Sequence, residues 1–191
     1  AFNLSLGPSE ETLLQRITRS GAVLGEWLEA HEGIHSGNIR ARLFLPPGTK
    51  PPRGIPAEPL LFGRDEIAPY RLKPAGWRVI HDPAIARRDR GEYAALGRRE
   101  WYRPPKLLIR RTGDRLIAAI DRTGLFASNN LFVARPDPAC PVPLEYLEAW
   151  LNSSLATWCF RAIQPRAVRI FAELKLCHLA RIPAPKPADA R

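Results

Sequence analysis

The sequence predicts an α+β fold: a twisted, mainly antiparallel sheet with an N-terminal helix and a C-terminal helical pair. Three observations carry this expectation. Residues 106–111, 115–121 and 125–134 are three runs rich in Leu, Ile, Val and Phe, separated by Thr112-Gly113-Asp114 and Arg122-Thr123-Gly124. Such runs between glycine-bearing breaks read as a three-stranded meander. Leu144, Leu147, Leu151 and Leu155 recur at helical spacing within residues 143–160. Leu13, Leu14 and Ile17, preceded by Ser9 and two glutamates, repeat that period near the start.

In chain order, Ser9 is placed as the cap of a helix beginning at Glu10, and Ser20-Gly21 ends it. Leu24, Trp27 and Leu28 form a short apolar patch. It leads into residues 30–38, where Gly33 and Gly37, flanked by Ser36 and Asn38, predict an irregular turn with exposed backbone. Residues 40–45 are a strand candidate. The Pro-rich stretch 46–59 is a loop, 60–67 a strand entering a turn, and 77–80 another strand. Residues 84–99 are expected as a helix charged on most of its circumference. After the meander come a second Pro-rich loop at 136–143, the helix over 143–160 and a second helix over 168–179. Residues 183–191 are expected as a tail. No internal repeat divides the chain, so residues 1–191 are read as a single domain, long enough for a core.

Composition narrows the function classes. A hydrophobic content of 45% with 25% charged residues is that of a globular protein, which argues against gross disorder. The formal net charge is +10, and residues 1–60 hold six basic and six acidic side chains, so the whole surplus lies beyond residue 60. A basic folded domain favours phosphate backbones or anionic membranes, although an arginine-rich composition can also reflect a GC-rich genome. No apolar run approaches the roughly 18 to 20 residues of a membrane span, and no lysine-studded amphipathic helix suggests a membrane surface. Nucleic acid is therefore the favoured partner. Three cysteines without a CxxC pair, and no signal peptide, lead to the expectation of a reduced, cytoplasmic chain. The lack of any Met suggests a piece of a longer polypeptide, with initiator removal an equally simple account of the first residue.

Catalytic motifs are tested against what each needs. His31-Glu32-Gly33-Ile34-His35 matches HExxH, but that motif works only on a helix, where both imidazoles share a face. Gly33 and the Ser36-Gly37-Asn38 sequence break such a helix at once. Asp137 with Glu173-Leu174-Lys175 can be forced into a metal-dependent nuclease pattern, yet the aspartate lies in a Pro-rich loop. There is no GxGxxG, Walker loop, Gly-x-Ser-x-Gly or paired-cysteine zinc site. More suggestive are Lys106, Arg110 and Arg111 on one run, with Asn129 and Asn130 on its expected neighbour. Arginine forks onto guanine O6/N7, and asparagine does the same for adenine N6/N7.

Six segments taken together resemble a known family. They are Gly33-Ile34-x-Ser36-Gly37-Asn38, Pro59-Leu60-Leu61-x-Gly63-x-Asp65-x-x-x-x-Tyr70, Trp101-Tyr102, Pro105-Lys106-Leu107-Leu108, Leu151-Asn152-Ser153 and Arg181-Ile182-Pro183-x-Pro185. In order and spacing the chain resembles the TaqI-like C-terminal specificity domain, the target recognition domain of N6-adenine DNA methyltransferases and fused type IIG restriction–modification enzymes. The resemblance implies a target-recognition-domain-like fold that reads double-stranded DNA in the major groove without catalysis of its own. It implies a separate methyltransferase catalytic domain, expected in the same polypeptide, that binds S-adenosylmethionine and carries an Asn-Pro-Pro-Tyr motif absent here. No cofactor is expected in this chain. The matched motifs are expected to be scaffold, with Asn152 capping or bridging backbone.

The candidate DNA-contacting residues are His35, Ser36, Asn38 and Arg40 in the glycine loop, and Lys106, Arg110, Arg111, Asn129 and Asn130 in the meander. Arg161, Gln164, Arg166 and Arg169 at the helix–helix join complete the set. Two alternatives stay open: a protein-interaction module docking on a catalytic partner, and a metal-dependent hydrolase using the His31 or Asp137 constellation.

Overall fold

The computed structural model describes residues 6–19, 21–163 and 172–186. The first element is α1 (Pro8–Arg19). It starts earlier than the Ser9 cap implied, because the Gly7 N–H donates to Glu10 Oε2 (2.9 Å) and Pro8 occupies a position that needs no donor. Next come β1 (Gly21–Val23), the single turn α2 (Leu24–Trp27) and β2 (Leu28–Glu32). The turn α3 (Arg40–Leu43) precedes β3 (Phe44–Leu45), β4 (Glu58–Leu61), β5 (Ile67–Ala68), β6 (Arg71–Leu72) and β7 (Arg78–Val79). Then follow β8 (Lys106–Arg110), β9 (Thr112–Gly113), β10 (Ala118–Asp121), β11 (Phe126–Ala127) and β12 (Leu131–Pro136). The described chain closes with α4 (Leu144–Asn152), α5 (Ser154–Ile163), β13 (Ala172–Glu173), the turn α6 (Leu176–Leu179) and β14 (Pro183–Pro185).

The organising unit is an antiparallel sheet of order β10-β8-β12-β2. Alternate residues of its strands enter different cores, as the two-residue period requires. Leu107, Ile109, Ala118, Phe132 and Ala134 pack with Leu147, Trp150, Leu151 and Phe160 of the helices. Leu108, Ala119, Leu131 and Val133 pack with Phe44, Leu60, Leu61 and Val79. Those partners belong to a second sheet, β11-β4-β7-β3, whose β11–β4 pair is parallel. The result is three layers, helices over a central sheet over a smaller sheet. Burial on both faces is why residues 107–109 and 131–134 are continuously apolar rather than alternating.

Several expectations change in space. The three runs do not form a meander in chain order: β12 pairs with β8, and β10 pairs with the other edge of β8. The run 125–134 is divided, β11 joining the second sheet before β12 joins the first. Residues 40–43 are a helical turn rather than strand. Residues 84–99 form no α-helix; they hold 3-10 turns at Pro83–Ile85 and Arg88–Arg90, and a third begins at Arg99. Gly91 (φ 71°) and Gly97 (φ 69°) sit in the left-handed region, which ends helical propagation.

The helix over 143–160 is really the pair α4 and α5. Ser153 adopts extended φ/ψ and its Oγ accepts the Ala156 N–H (3.0 Å), capping the second helix. That break turns Leu155 out of the stripe, leaving it exposed. Within the second expected helix, residues 172–179 form β13 and one turn, while 168–171 lie outside the described residues. Pro183–Pro185, expected as the start of a tail, pair with β1, and Trp150 Nε1 donates to Pro183 O (2.8 Å).

Asn152 has the bridging role its motif suggested. Its Oδ1 accepts the Ala118 N–H (3.0 Å), and its Nδ2 donates to Ala118 O and Glu148 O (both 2.9 Å). Because β10 is an edge strand, Asn152 supplies the acceptor for the Ala118 N–H, while Ala118 O also accepts the Tyr70 N–H (3.1 Å).

Candidate nucleic-acid interface

Polar side chains converge where β2, β8 and β12 end. Gly33 leaves β2 so close to the end of β11 that a Cβ would fall 2.6 Å from Ala127 O and nearer still to Ser128 O. With no side chain there, Ile34 N–H donates to Ala127 O (2.8 Å) and Asn129 N–H to Ile34 O (2.9 Å). These bonds bring His35 beside Asn129, Nε2 to Nδ2, at 3.2 Å. Asn130 Nδ2 donates to Phe62 O (3.0 Å), and the Arg40 guanidinium lies 4.7 Å over the Phe62 ring, which stacks on Trp77. His35, Arg40 and Asn130 are exposed and Asn129 is half-buried. An asparagine amide carries two donors and an acceptor, so each amide keeps groups for a base edge beyond the single donor named here.

Arg111 braces this rim instead of projecting from it. Its Nη1 meets Glu32 Oε2 (3.3 Å) and Asn129 O (3.1 Å), and its Nη2 meets Glu173 Oε1 (2.7 Å). Pairing of β13 with β9 delivers Glu173 to that position. Arg110 points to the other side of the sheet, 3.6 Å from Asp114. Arg161 donates to Asp114 O from α5. Ser36 turns the loop through its carbonyl, which accepts the Ile39 N–H (3.1 Å). Gln164, Arg166 and Arg169 lie outside the described residues.

Lys106 is a correction. Its ammonium is fully buried and paired with Asp121, and it donates to Tyr102 O (2.7 Å). It belongs to the core, out of reach of any phosphate. Burial lowers its pKa, with Asp121 pulling partly the other way. Burial pushes the Asp121 carboxyl up, but the Lys106 ammonium and the Thr123 donors hold it below its ordinary value.

Asn38 is a clamp. Its Nδ2 donates to Gly91 O (3.1 Å) and its Oδ1 accepts the Tyr93 N–H (2.9 Å). Both ends of its amide thus hold residues 83–103, an arch that sequence reasoning missed. The arch is also pinned by paired bonds between His35 and Ala95 (both 2.9 Å) and by the Arg42–Glu92 ion pair. Gly37 (φ 51°) permits the approach, since a Cβ there would run into Tyr93. The signal in the sequence was the density of arginine between Pro83 and Arg103, which had been read as an exposed helix face.

The Glu92 pin gives a pH prediction. Hydrogen bonds from Arg42, then the Arg87 N–H, bring the Glu92 pKa down to about 2 from 4.5. A folded pKa below the unfolded one means the stabilisation is present above the unfolded value and lost as pH falls through the folded one. We expect the Gly91 and Tyr93 amide resonances to hold steady on acidification past pH 4.5 and to move together only as pH approaches about 2. Glu92→Gln should show the displaced shifts already at neutral pH. A transition centred near 4.5 would refute the pin.

The constellations considered for metal chemistry do not assemble. His31 and Glu32 lie in a strand, so the two imidazoles share no helix face. His31 instead stacks on Trp101 (3.6 Å). Asp137 Oδ1 accepts the Ala139 N–H (2.8 Å), and Glu173 is engaged by Arg111. Among the described residues no group of three His, Cys, Asp or Glu side chains could hold a metal ion, and no helix is long and apolar enough to cross a membrane.

Fold and rim together define a class: a three-layer α+β domain with amide and imidazole groups at its strand ends. Residues 58–184 match the TaqI-like C-terminal specificity domain, and the chain belongs to that family. The fold is similar to part of the type IIG restriction endonuclease BpuSI (TM-score 0.59, 16% identity, 94% of this chain and 26% of that one). The HsdS subunit from Thermoanaerobacter tengcongensis also aligns (TM-score 0.46, 13% identity, 90% of this chain and 37% of that one). The chain therefore spans well under half the length of either. No curated protein matches it in sequence.

Proposed function

We propose that this domain recognises a specific sequence in double-stranded DNA for a restriction–modification adenine methyltransferase. The rim reads base edges in the major groove, and Lys and Arg side chains hold phosphates. Methyl transfer, with S-adenosylmethionine, belongs to a separate catalytic domain. The observation that supports this best is the rim itself: exposed His35 and Asn130 with half-buried Asn129, fixed in register by backbone bonds in a specificity-domain fold. Asparagine pairs bidentately with adenine, and each good bidentate pair discriminates by about 1–3 kcal/mol.

The test is duplex binding across a salt series, with selection from random sequence. One enriched sequence and a steep linear fall of log affinity with log salt are expected. Asn130→Ala should relax preference at one base position by about 5- to 150-fold, which is that discrimination expressed as a ratio, and leave the salt slope unchanged. Salt-insensitive or undetectable duplex binding would defeat the reading. It would favour docking on a protein partner, for which an apolar groove of about 310 Å³ between Leu24, Leu28, Leu176 and Leu179 speaks.

A further inference from the structure

We propose that the arch over residues 83–103 is a second, sequence-independent contact surface of this domain, and that it takes the phosphodiester backbone of the duplex whose bases the rim reads. The inference rests on the DNA-recognition reading above and adds where the backbone is held.

Four observations support it. Arg87, Arg88 and Arg90 are exposed, and among the described residues no carboxylate forms an ion pair with any of them. The nearest acid in chain order after them, Glu92, bonds Arg42 and the Arg87 N–H, so it is shared with Arg42 and offers the three cations only a longer-range attraction to Arg87. The arch is held rigid from below by Asn38, Arg42 and the His35–Ala95 bonds, so its arginines are presented without ordering a loop. His35 belongs to both surfaces: its imidazole meets Asn129 while its backbone pairs with Ala95. The two surfaces are therefore contiguous, and a duplex seated on the rim passes its backbone over the arch. Beside Arg88, a groove of about 540 Å³ is lined by Ile85, Tyr93 and Leu96. Tyr93, 65% exposed, offers a hydroxyl donor there.

Charge alone releases counterions, at about 0.9 in the log–log slope for each neutralised phosphate. The triple variant Arg87→Gln, Arg88→Gln, Arg90→Gln, made in the full 191-residue chain, should lower the slope by about 2 to 3. The preferred sequence and the ratio of specific to random binding should stay as in the wild type. The corresponding triple lysine variant should restore the slope, because counterion release needs only the charge. Thermal unfolding of each variant confirms an intact fold, and all three guanidinium groups are exposed. A glutamine variant that is folded and keeps the wild-type slope would overturn the arch assignment alone. A wild-type chain that binds no duplex at any salt would overturn the assignment and the recognition reading together.

Discussion

Lys106→Met is expected to destabilise the domain by about 3–5 kcal/mol at neutral pH, the range for stranding one member of a buried ion pair. Methionine roughly replaces the volume, so the loss is that of the ion pair and of the bond to Tyr102 O. Asp121 stays behind, fully buried, still accepting from Thr123 N–H (2.8 Å) and Leu125 N–H (2.7 Å) but with no counter-charge. Those two bonds shape the 121–125 turn, so Asp121 cannot simply become leucine. Lys106→Met combined with Asp121→Asn should recover part of the loss, because the amide carries no charge and its oxygen keeps the bonds from Thr123, although the Leu125 N–H loses its acceptor. The sign of the pH dependence follows. In the wild type the depressed carboxyl contributes stability above its unfolded pKa, and that contribution fades as pH falls through the folded value. Without the ammonium, burial raises the carboxyl instead, so the deficit of Lys106→Met should shrink on acidification. Urea unfolding at pH 7 and pH 5 measures both; a single variant as stable as wild type would remove the ion pair from the account of this core.

Gly33→Ala should be the most damaging substitution at the rim. The added methyl meets two backbone oxygens, of Ser128 and Ala127, and neither can rotate away as a side chain would. Overpacking of this kind costs about 1–3 kcal/mol, more where the backbone must shift. The shift has a functional consequence, since the Ile34–Ala127 and Asn129–Ile34 bonds set the height of His35 against Asn129. Loss of selective duplex binding is expected at temperatures where the variant remains folded. Thermal unfolding together with binding to the selected duplex tests this. Wild-type selectivity with an intact fold would show that strand separation at Gly33 does not position the readers.

Much of this was legible in the amino-acid sequence, for identifiable reasons. The apolar runs announced strands because both faces of the central sheet are buried, and the bridging role of Asn152 came with the family motif, while the helix break beside it went unread. Strand order was partly legible: the run with Asn129 and Asn130 was expected beside residues 106–111, as β12 lies beside β8, but local pattern did not show that 125–134 is shared between two sheets. The arch was misread because Arg and Glu at short spacing suit a solvated helix, and only Gly91 and Gly97 speak against it. Lys106 was misassigned because a lysine at a strand end usually reaches solvent; its burial depends on Asp121, opposite it in the β10–β8 register. Of the candidate readers, His35, Arg40, Asn129 and Asn130 come together, and Arg111 lies beneath them as a brace. Their convergence depends on Gly33 and on the β2–β12 pairing, neither of which is a local property.

The division of the central sheet into a sealed interior and a polar end has an engineering consequence. Leu107, Leu108, Ile109, Phe132 and Val133 are locked between two layers and tolerate little change. His35 and Asn130 stand past the last ladder bonds, anchored by main chain. A library randomised at those two positions and Asn129 should therefore yield folded offspring of altered taste for sequence, with the chassis untouched.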